Sequence, residues 1–346
     1  MPFFIKKDIL QPRYRHCEFR LLSALLVVFF CGIYVFAFSP TSVAWGADKA
    51  FTKANGARLT QVATASDSLL RNGMESALSS ADKNGFGVSA VFEYSALSIS
   101  AGGDTDLDGG TWLLSMAYNR KESPYIMGVY AEIFNGDYEM DNANGYLKGY
   151  GGGLFIHYRE RLAEALKTGV PLLWVPGRYL EASARVGYSE MDFNSLLDPP
   201  IFAMGKVYYG LSVGGGYVCK SKSGCAMDVY GRLIWTHFPE KIVCDRITYD
   251  GADSLRLVAG LRASYLATEK LRPYVGVALD WELLGRLDMT LDGLKADRTD
   301  ISGLTGLLEA GINYNVSDNI FIDLRVAGSV GKREGIGGQL EIKYRF

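Results

Sequence analysis

The last seven residues, Leu340-Glu-Ile-Lys-Tyr-Arg-Phe346, alternate without exception. On an extended strand, Leu340, Ile342, Tyr344 and Phe346 share one face, and Glu341, Lys343 and Arg345 share the other. A strand that is apolar on one side and fully charged on the other must lie between an apolar medium and water. The same period of two recurs upstream. Ile320, Ile322, Leu324 and Val326 alternate with Phe321, Asp323, Arg325 and Ala327. Leu255, Leu257, Ala259, Leu261 and Ala263 alternate with Arg256, Val258, Gly260, Arg262 and Ser264. Val275, Val277, Leu279 and Trp281 alternate with Gly276, Ala278, Asp280 and Glu282, and Val229, Leu233 and Trp235 oppose Asp228, Tyr230 and Arg232. Leu180, Ala182, Ala184, Val186 and Tyr188 oppose Glu181, Ser183 and Arg185. A soluble β-core does not take so many charges of both signs on one face unless that face meets water.

An apolar outer face and a charged, watered inner face describe a transmembrane β-barrel. The composition agrees: 40 Gly, 21 Tyr and 17 Phe stand against 10 Pro. A hydrophobic content of 48% excludes a disordered chain, and a formal charge of −2 gives no basic excess for nucleic acid. The fold class predicted is all-β, an antiparallel transmembrane barrel of about twelve strands. The strands are expected near 87–101, 111–120, 123–136, 145–160, 173–191, 205–219, 225–238, 254–267, 272–284, 301–315, 319–331 and 336–346. Short connections near 120–123, 219–225, 267–272 and 315–319 should alternate with longer ones near 101–111, 191–205, 238–254 and 284–301. That rhythm puts both strand termini on the periplasmic side. The 160–173 connection breaks it and has room for a short helix in RLAEALK.

The first 47 residues stand apart. Lys6, Lys7, Arg13, Arg15 and Arg20 precede a continuous apolar run from Leu21 to Phe38, and small residues follow it. This reads as a secretory signal peptide cleaved after Ala44 or Ala47. An uncleaved anchor is the other reading, because the run is just long enough to span a bilayer. No other segment carries an apolar run of transmembrane-helix length. The remaining chain is mildly acidic.

Several stretches then carry a resemblance: Gly210-Leu-Ser-Val-Gly-Gly-Gly-Tyr217, Asp228-Val-Tyr-Gly-Arg-Leu-Ile-Trp-Thr236, Asp253-Ser-Leu-Arg-Leu257, Arg272-Pro-Tyr-Val-Gly276, Gly331-Lys-Arg-Glu-Gly335 and the terminal Tyr344-Arg-Phe346. In this order and spacing, residues 85–346 resemble the translocator β-barrel of bacterial autotransporters, the type V secretion family. The resemblance implies a twelve-stranded barrel in the outer membrane with a helix in the lumen just before the first strand. It also implies a role in bringing an N-terminal passenger to the cell surface. The sequence departs from the family in one respect: only residues 48–85 lie between the signal and the barrel, so there is almost no passenger. The terminal Tyr344 and Phe346, with Leu340 and Ile342, are similar to the C-terminal signal by which such barrels are assembled.

Within 48–85, Leu59, Val62, Leu69, Leu70, Met74, Ala77 and Leu78 recur at helical spacing, and Lys83-Asn84-Gly85 ends the pattern. A helix is expected over about 56–82. The spacing fits a loose periplasmic helix as well as a lumen helix; the resemblance favours the lumen.

Catalytic chemistry is not legible. His157 and His237 sit on predicted strands without a partner set, and His16 falls in the signal. No Cys/His set has metal-ligand spacing. The glycine runs at 151–153 and 214–216 fall inside strands, where glycine marks tight packing or curvature. Cys17 and Cys31 belong to the signal, and Cys244 lies in a predicted loop. Cys219 and Cys225 flank a short turn and can pair in an oxidising compartment or stay free. The lumen is expected to hold Asp228, Arg232, Arg256, Arg262, Asp280, Glu282, Glu309, Asp323 and Arg325, as a salt-bridge network or as the lining of a solute or polypeptide path. The expected protein is a non-enzymatic outer-membrane translocator-type barrel with little or no passenger. The alternative is a plugged small channel or a surface-loop display protein. Outer-membrane lipid, periplasmic chaperones and the barrel-assembly machinery are the partners expected, with no cofactor and no nucleic acid.

Overall fold

The computed structural model describes residues 54, 57–60, 86–100, 104–119, 123–140, 143–160, 176–195, 202–221, 224–244, 247–291, 294–295 and 299–346. The expected signal peptide and the helix expected in RLAEALK lie outside the described residues. The strands are β1 (Phe86–Ser100), β2 (Asp104–Asn119), β3 (Tyr125–Met140), β4 (Ala143–Arg159), β5 (Gly177–Ser195), β6 (Phe202–Lys220), β7 (Cys225–Phe238), β8 (Lys241–Cys244), β9 (Ile247–Tyr265), β10 (Leu271–Leu291), β11 (Leu294–Lys295), β12 (Thr299–Asp300), β13 (Gly303–Asn315), β14 (Ile320–Gly331) and β15 (Arg333–Arg345). Twelve are long; β8, β11 and β12 are short pieces attached to β9 and β10. Every long strand pairs antiparallel with its neighbour in sequence. The sheet closes when β1 pairs β15, from Gly87 opposite Arg345 to Ile99 opposite Arg333. Closure leaves no long strand with a free edge, which is what lets a sheet live in lipid.

Alternation sorts the two faces as expected. On β3, Tyr125, Met127, Val129 and Ile133 are exposed outward, while Ile126, Tyr130, Glu132 and Phe134 are buried inward. An outward ring of Phe86, Tyr118, Tyr125, Tyr265, Tyr314, Tyr344 and Phe346 marks the rim carrying both barrel termini, here the terminal rim. Along β3 the outward residues stay apolar from Tyr125 to Ile133 and then change to Asn135, Asp137 and Glu139. About ten tilted residues cover the hydrocarbon band, so the outward face turns polar where lipid ends.

The far rim differs from the sequence reading. The connection expected over 101–111 shrinks to 101–103, because β2 begins at Asp104 and pairs β1 from Asp104 and β3 from Asp106. Likewise β10 runs on to Leu291 through two register shifts, at Glu282/Leu284 and Leu287/Met289. The strands extend past the membrane instead of dissolving into loops. Polarity inverts there: Asp106 and Asp108 face out while Leu107 is buried inward. Inward Leu107, Phe134, Met140, Leu147, Met191, Phe193, Met204, Phe238 and Leu287 form an apolar collar around the far end of the lumen.

The glycine runs mark close packing: a Cβ on Gly151 would clash with the Tyr208 hydroxyl and one on Gly216 with the phenol end of Tyr179. Outside the runs, a Cβ on Gly187 would clash with the phenol end of Tyr208. Gly187→Val is therefore expected to unseat Tyr208, at a cost of about 1–3 kcal/mol from overpacking. The readout is the temperature at which the compact, unboiled band on a detergent gel converts to the unfolded one. An unshifted conversion temperature would show that the ring is not seated there.

Candidate functional site

All nine charged residues expected in the lumen are there, buried on inward-facing positions. Arg256 on β9 donates from Nε to Asp280 at 3.1 Å and lies 3.9 Å from Glu282, which also accepts from Ser254 at 2.8 Å. Arg333 adds a second guanidinium 2.8 Å from Asp280. Glu309 on β13 joins Arg262 at 2.9 Å to Arg325 at 3.2 Å, although β9 and β13 are not neighbours. Gly276 on the intervening strand makes this reach possible: a Cβ there would stand 2.5 Å from Glu309 Oε1. Arg325 continues to Glu93 at 3.3 Å, so the chain of charges crosses the seam between the first and last strands.

The pairs repeat one arrangement. Arg262 lies 5.1 Å above the Tyr274 ring, the Tyr274 hydroxyl donates to Asp323 at 2.8 Å, and the ring fills the notch at Gly311. Arg185 lies 5.2 Å above Tyr208, whose hydroxyl donates to Glu132 at 2.6 Å over Gly187. Arg159 lies 5.7 Å above Tyr179, whose hydroxyl donates to Asp228 at 3.1 Å over Gly216. Each unit satisfies a cation by a π-face and a carboxylate by a phenol, in a lumen where unpaired charge is costly. Arg232, the remaining expected cation, donates to Glu181 at 2.6 Å.

Six of these charged partners, Glu93, Glu132, Arg159, Glu181, Arg185 and Arg333, were not among the expected site residues. The signal was present: each lies on the polar face of an alternating strand. His157, 2% exposed, stacks on Tyr179 at 5.4 Å and lies 3.9 Å from Glu181. His237 corrects the expectation that it lacks partners. Its Nδ1 is 3.0 Å from Asp253 Oδ1, which also accepts from Trp235 at 2.9 Å, on the outward face. These two histidines stand on opposite faces of the wall. The candidate disulfide is also corrected. Cys225 is a free, exposed thiol, and Cys219 is bonded to a cysteine other than Cys225. In the β6–β7 register Cys219 faces Met227, so Cys225 lies on a diagonal, about 7–8 Å away and beyond disulfide reach. Among the described residues no group of His, Cys, Asp and Glu is placed to hold a metal.

At the far rim the lumen also holds part of the N-terminal segment. Ala54 and residues 57–60 are helical, and Ala54, Ala57 and Leu59 pack into the apolar collar. Arg58, 2% exposed, donates from Nε to Ser189 Oγ at 3.1 Å and from Nη2 to the Ser189 carbonyl, and sits 5.0 Å above the Phe238 ring. The rest of the helix expected over 56–82 lies outside the described residues.

A closed twelve-stranded barrel, a charged lumen and an N-terminal helix seated inside it form a recognisable set. The family model of the autotransporter beta-domain matches residues 77–327. The chain belongs to the autotransporter β-domain family. No curated protein matches it. Among solved structures it is similar to the translocator domain of autotransporter NalP from Neisseria meningitidis, with 13% identity and a TM-score of 0.65. That match covers 87% of this chain and all of the other. The transport unit of autotransporter AIDA-I from Escherichia coli gives 15% identity and a TM-score of 0.60, over 76% of this chain and 91% of that one. The beta domain of the Bordetella autotransporter BrkA gives 14% and 0.59, over 75% and 99%. At such identities the likeness speaks for the fold. As an autotransporter β-domain the chain is an outer-membrane, translocator-like barrel, and its outward apolar band is the lipid-facing wall.

Proposed function

We propose that the N-terminal segment of this autotransporter-type barrel, residues 48–85, remains in the lumen as a plug. The supporting observation is that Ala54, Ala57 and Leu59, on helical residues, are buried in the far-rim collar, while β1 starts at the terminal rim. The plug reading needs residues 61 to 85 to be long enough to span the lumen between these two points. Those 25 residues reach about 37 Å as a helix, enough to cross a hydrocarbon core of about 30 Å. The terminal rim faces the periplasm and the collar faces the cell exterior, the orientation in which an N-terminus emerges at the surface. In this reading the signal at 1–47 takes the chain across the inner membrane. Periplasmic chaperones hand it to the barrel-assembly machinery, which reads Leu340, Ile342, Tyr344 and Phe346. In this reading the barrel is not an enzyme, and the lumen charges, linked in pairs and longer runs, brace the wall.

The test is planar-bilayer conductance of the full barrel against a barrel lacking 48–82. The deletion is expected to insert, to keep its compact unboiled band and to conduct several-fold more. A deletion that conducts no more than the parent would place the segment outside the pore.

A further inference from the structure

The collar is an unusual place for an arginine. Ala54, Ala57 and Leu59 share one buried apolar cluster with Leu107, Phe134, Met191, Met204, Phe238 and Leu287, contributed by strands all round the barrel. An apolar constriction closes a pore by excluding water, and small side chains on the helix let it fit. Arg58, in the same turn, gains nothing from that packing and would cost free energy if merely buried. It is met by a receptor built from the wall. The Ser189 carbonyl and hydroxyl on β5 take two edges of the guanidinium, and Phe238 on β7 offers a ring face at 5.0 Å. A planar, forked cation is what two adjacent acceptors and an aromatic face recognise; an ammonium cannot fill all three contacts together.

Resting on the plug reading, we propose that Arg58 is the latch of the plug, and that Ser189 with Phe238 forms a guanidinium-binding site at the outer mouth of the barrel. The apolar side chains seal the mouth, and the latch fixes the depth and rotation of the helix at which they do so. A hydrogen-bonded buried cation is held firmly but reversibly, so the seal opens when the guanidinium leaves its site. The site is selective for a ligand class: a guanidinium group supplied from outside can occupy it when Arg58 is absent.

The experiment uses the full chain. Arg58→Ala is measured in planar bilayers beside the parent and the 48–82 deletion, with the compact unboiled band as the check on folding. The open fraction is expected to rise about tenfold or more, toward that of the deletion. Ethylguanidinium added to the chamber facing the collar should restore closure of Arg58→Ala, and ethylammonium at the same concentration should not. Arg58→Lys should remain partly open. Phe238→Leu, which keeps the collar apolar while removing the ring face, should open the pore less than Arg58→Ala. Parent-like conductance of Arg58→Ala would overturn the latch while the deletion still reports on the plug. Closure by both cations alike, or by neither, would overturn the guanidinium site. A deletion without added conductance would instead overturn the plug.

Discussion

Replacing Glu309 by leucine is expected to cost the barrel about 3 kcal/mol or more, because removing one partner of a buried ion pair strands the other charge. Glu309 is the hinge of a run of four charges, Arg262, Glu309, Arg325 and Glu93. Its two oxygens meet Arg262 at 2.9 Å and Arg325 at 3.2 Å. Arg325 retains Glu93 at 3.3 Å, and Arg262 retains its place over the Tyr274 ring, so the wall weakens on the β9–β10–β13 side first. Glu309→Gln keeps an acceptor and the fit over Gly276, and should lose much less. The measurement is the temperature at which the unboiled band converts, with Glu309→Leu falling well below Glu309→Gln. Equal shifts would mean that shape, and not charge pairing, is what residue 309 supplies. Loss of Glu309 would also leave excess positive charge in the lumen, which a shift of ion selectivity toward anions would report.

The inner and outer faces were legible because a strand has only two sides. Once Leu255 and its alternates were placed in lipid, Arg256 and Arg262 had to enter the lumen, and no knowledge of pairing was needed. Pairing itself was not legible. Glu309 reaches Arg262 across an entire strand, and only the register, with glycine at 276, brings them together. The far rim was misread for a related reason. The segment Asp104-Thr-Asp-Leu-Asp-Gly-Gly110 is rich in turn formers, yet neighbours on both sides hold it as strand. Its alternation was present with the polarity inverted, Thr105 and Leu107 in and the aspartates out, because above the bilayer the exterior is water and the interior is the collar. The cysteine pairing failed on geometry: closeness across a turn is not closeness across a ladder. Of the helix expected over 56–82 only the start, residues 57–60, is described, and spacing alone allowed it a site inside or outside the barrel.

Deleting Phe346 is expected to separate assembly from stability. The residue closes the seam at its last step: its N–H donates to the Phe86 carbonyl at 3.1 Å, and its ring packs edge-on against Tyr344 at 4.8 Å. The residue is 69% exposed, on the outward face at the terminal rim. Its loss removes one backbone hydrogen bond, about 1 kcal/mol, and a ring that is mostly outside the protein. Twelve further residue pairs of the β1–β15 seam, from Val88–Tyr344 to Ile99–Arg333, are untouched. A purified chain lacking Phe346 should therefore refold in detergent to a compact band, with a conversion temperature lowered by only a few degrees. In cells the same deletion should cut the outer-membrane yield severely and leave degraded or aggregated precursor, because the terminal aromatic is exposed in the unfolded chain, where an assembly machinery can read it. Tyr344→Ala should act in the same direction. It also loosens pairing with both Val88 and Ile320, so its refolding in detergent should suffer more than that of the Phe346 deletion. Normal outer-membrane yield without Phe346 would reduce the terminal pattern to an ordinary strand end. A matching loss in detergent would make its role one of folded-state stability alone.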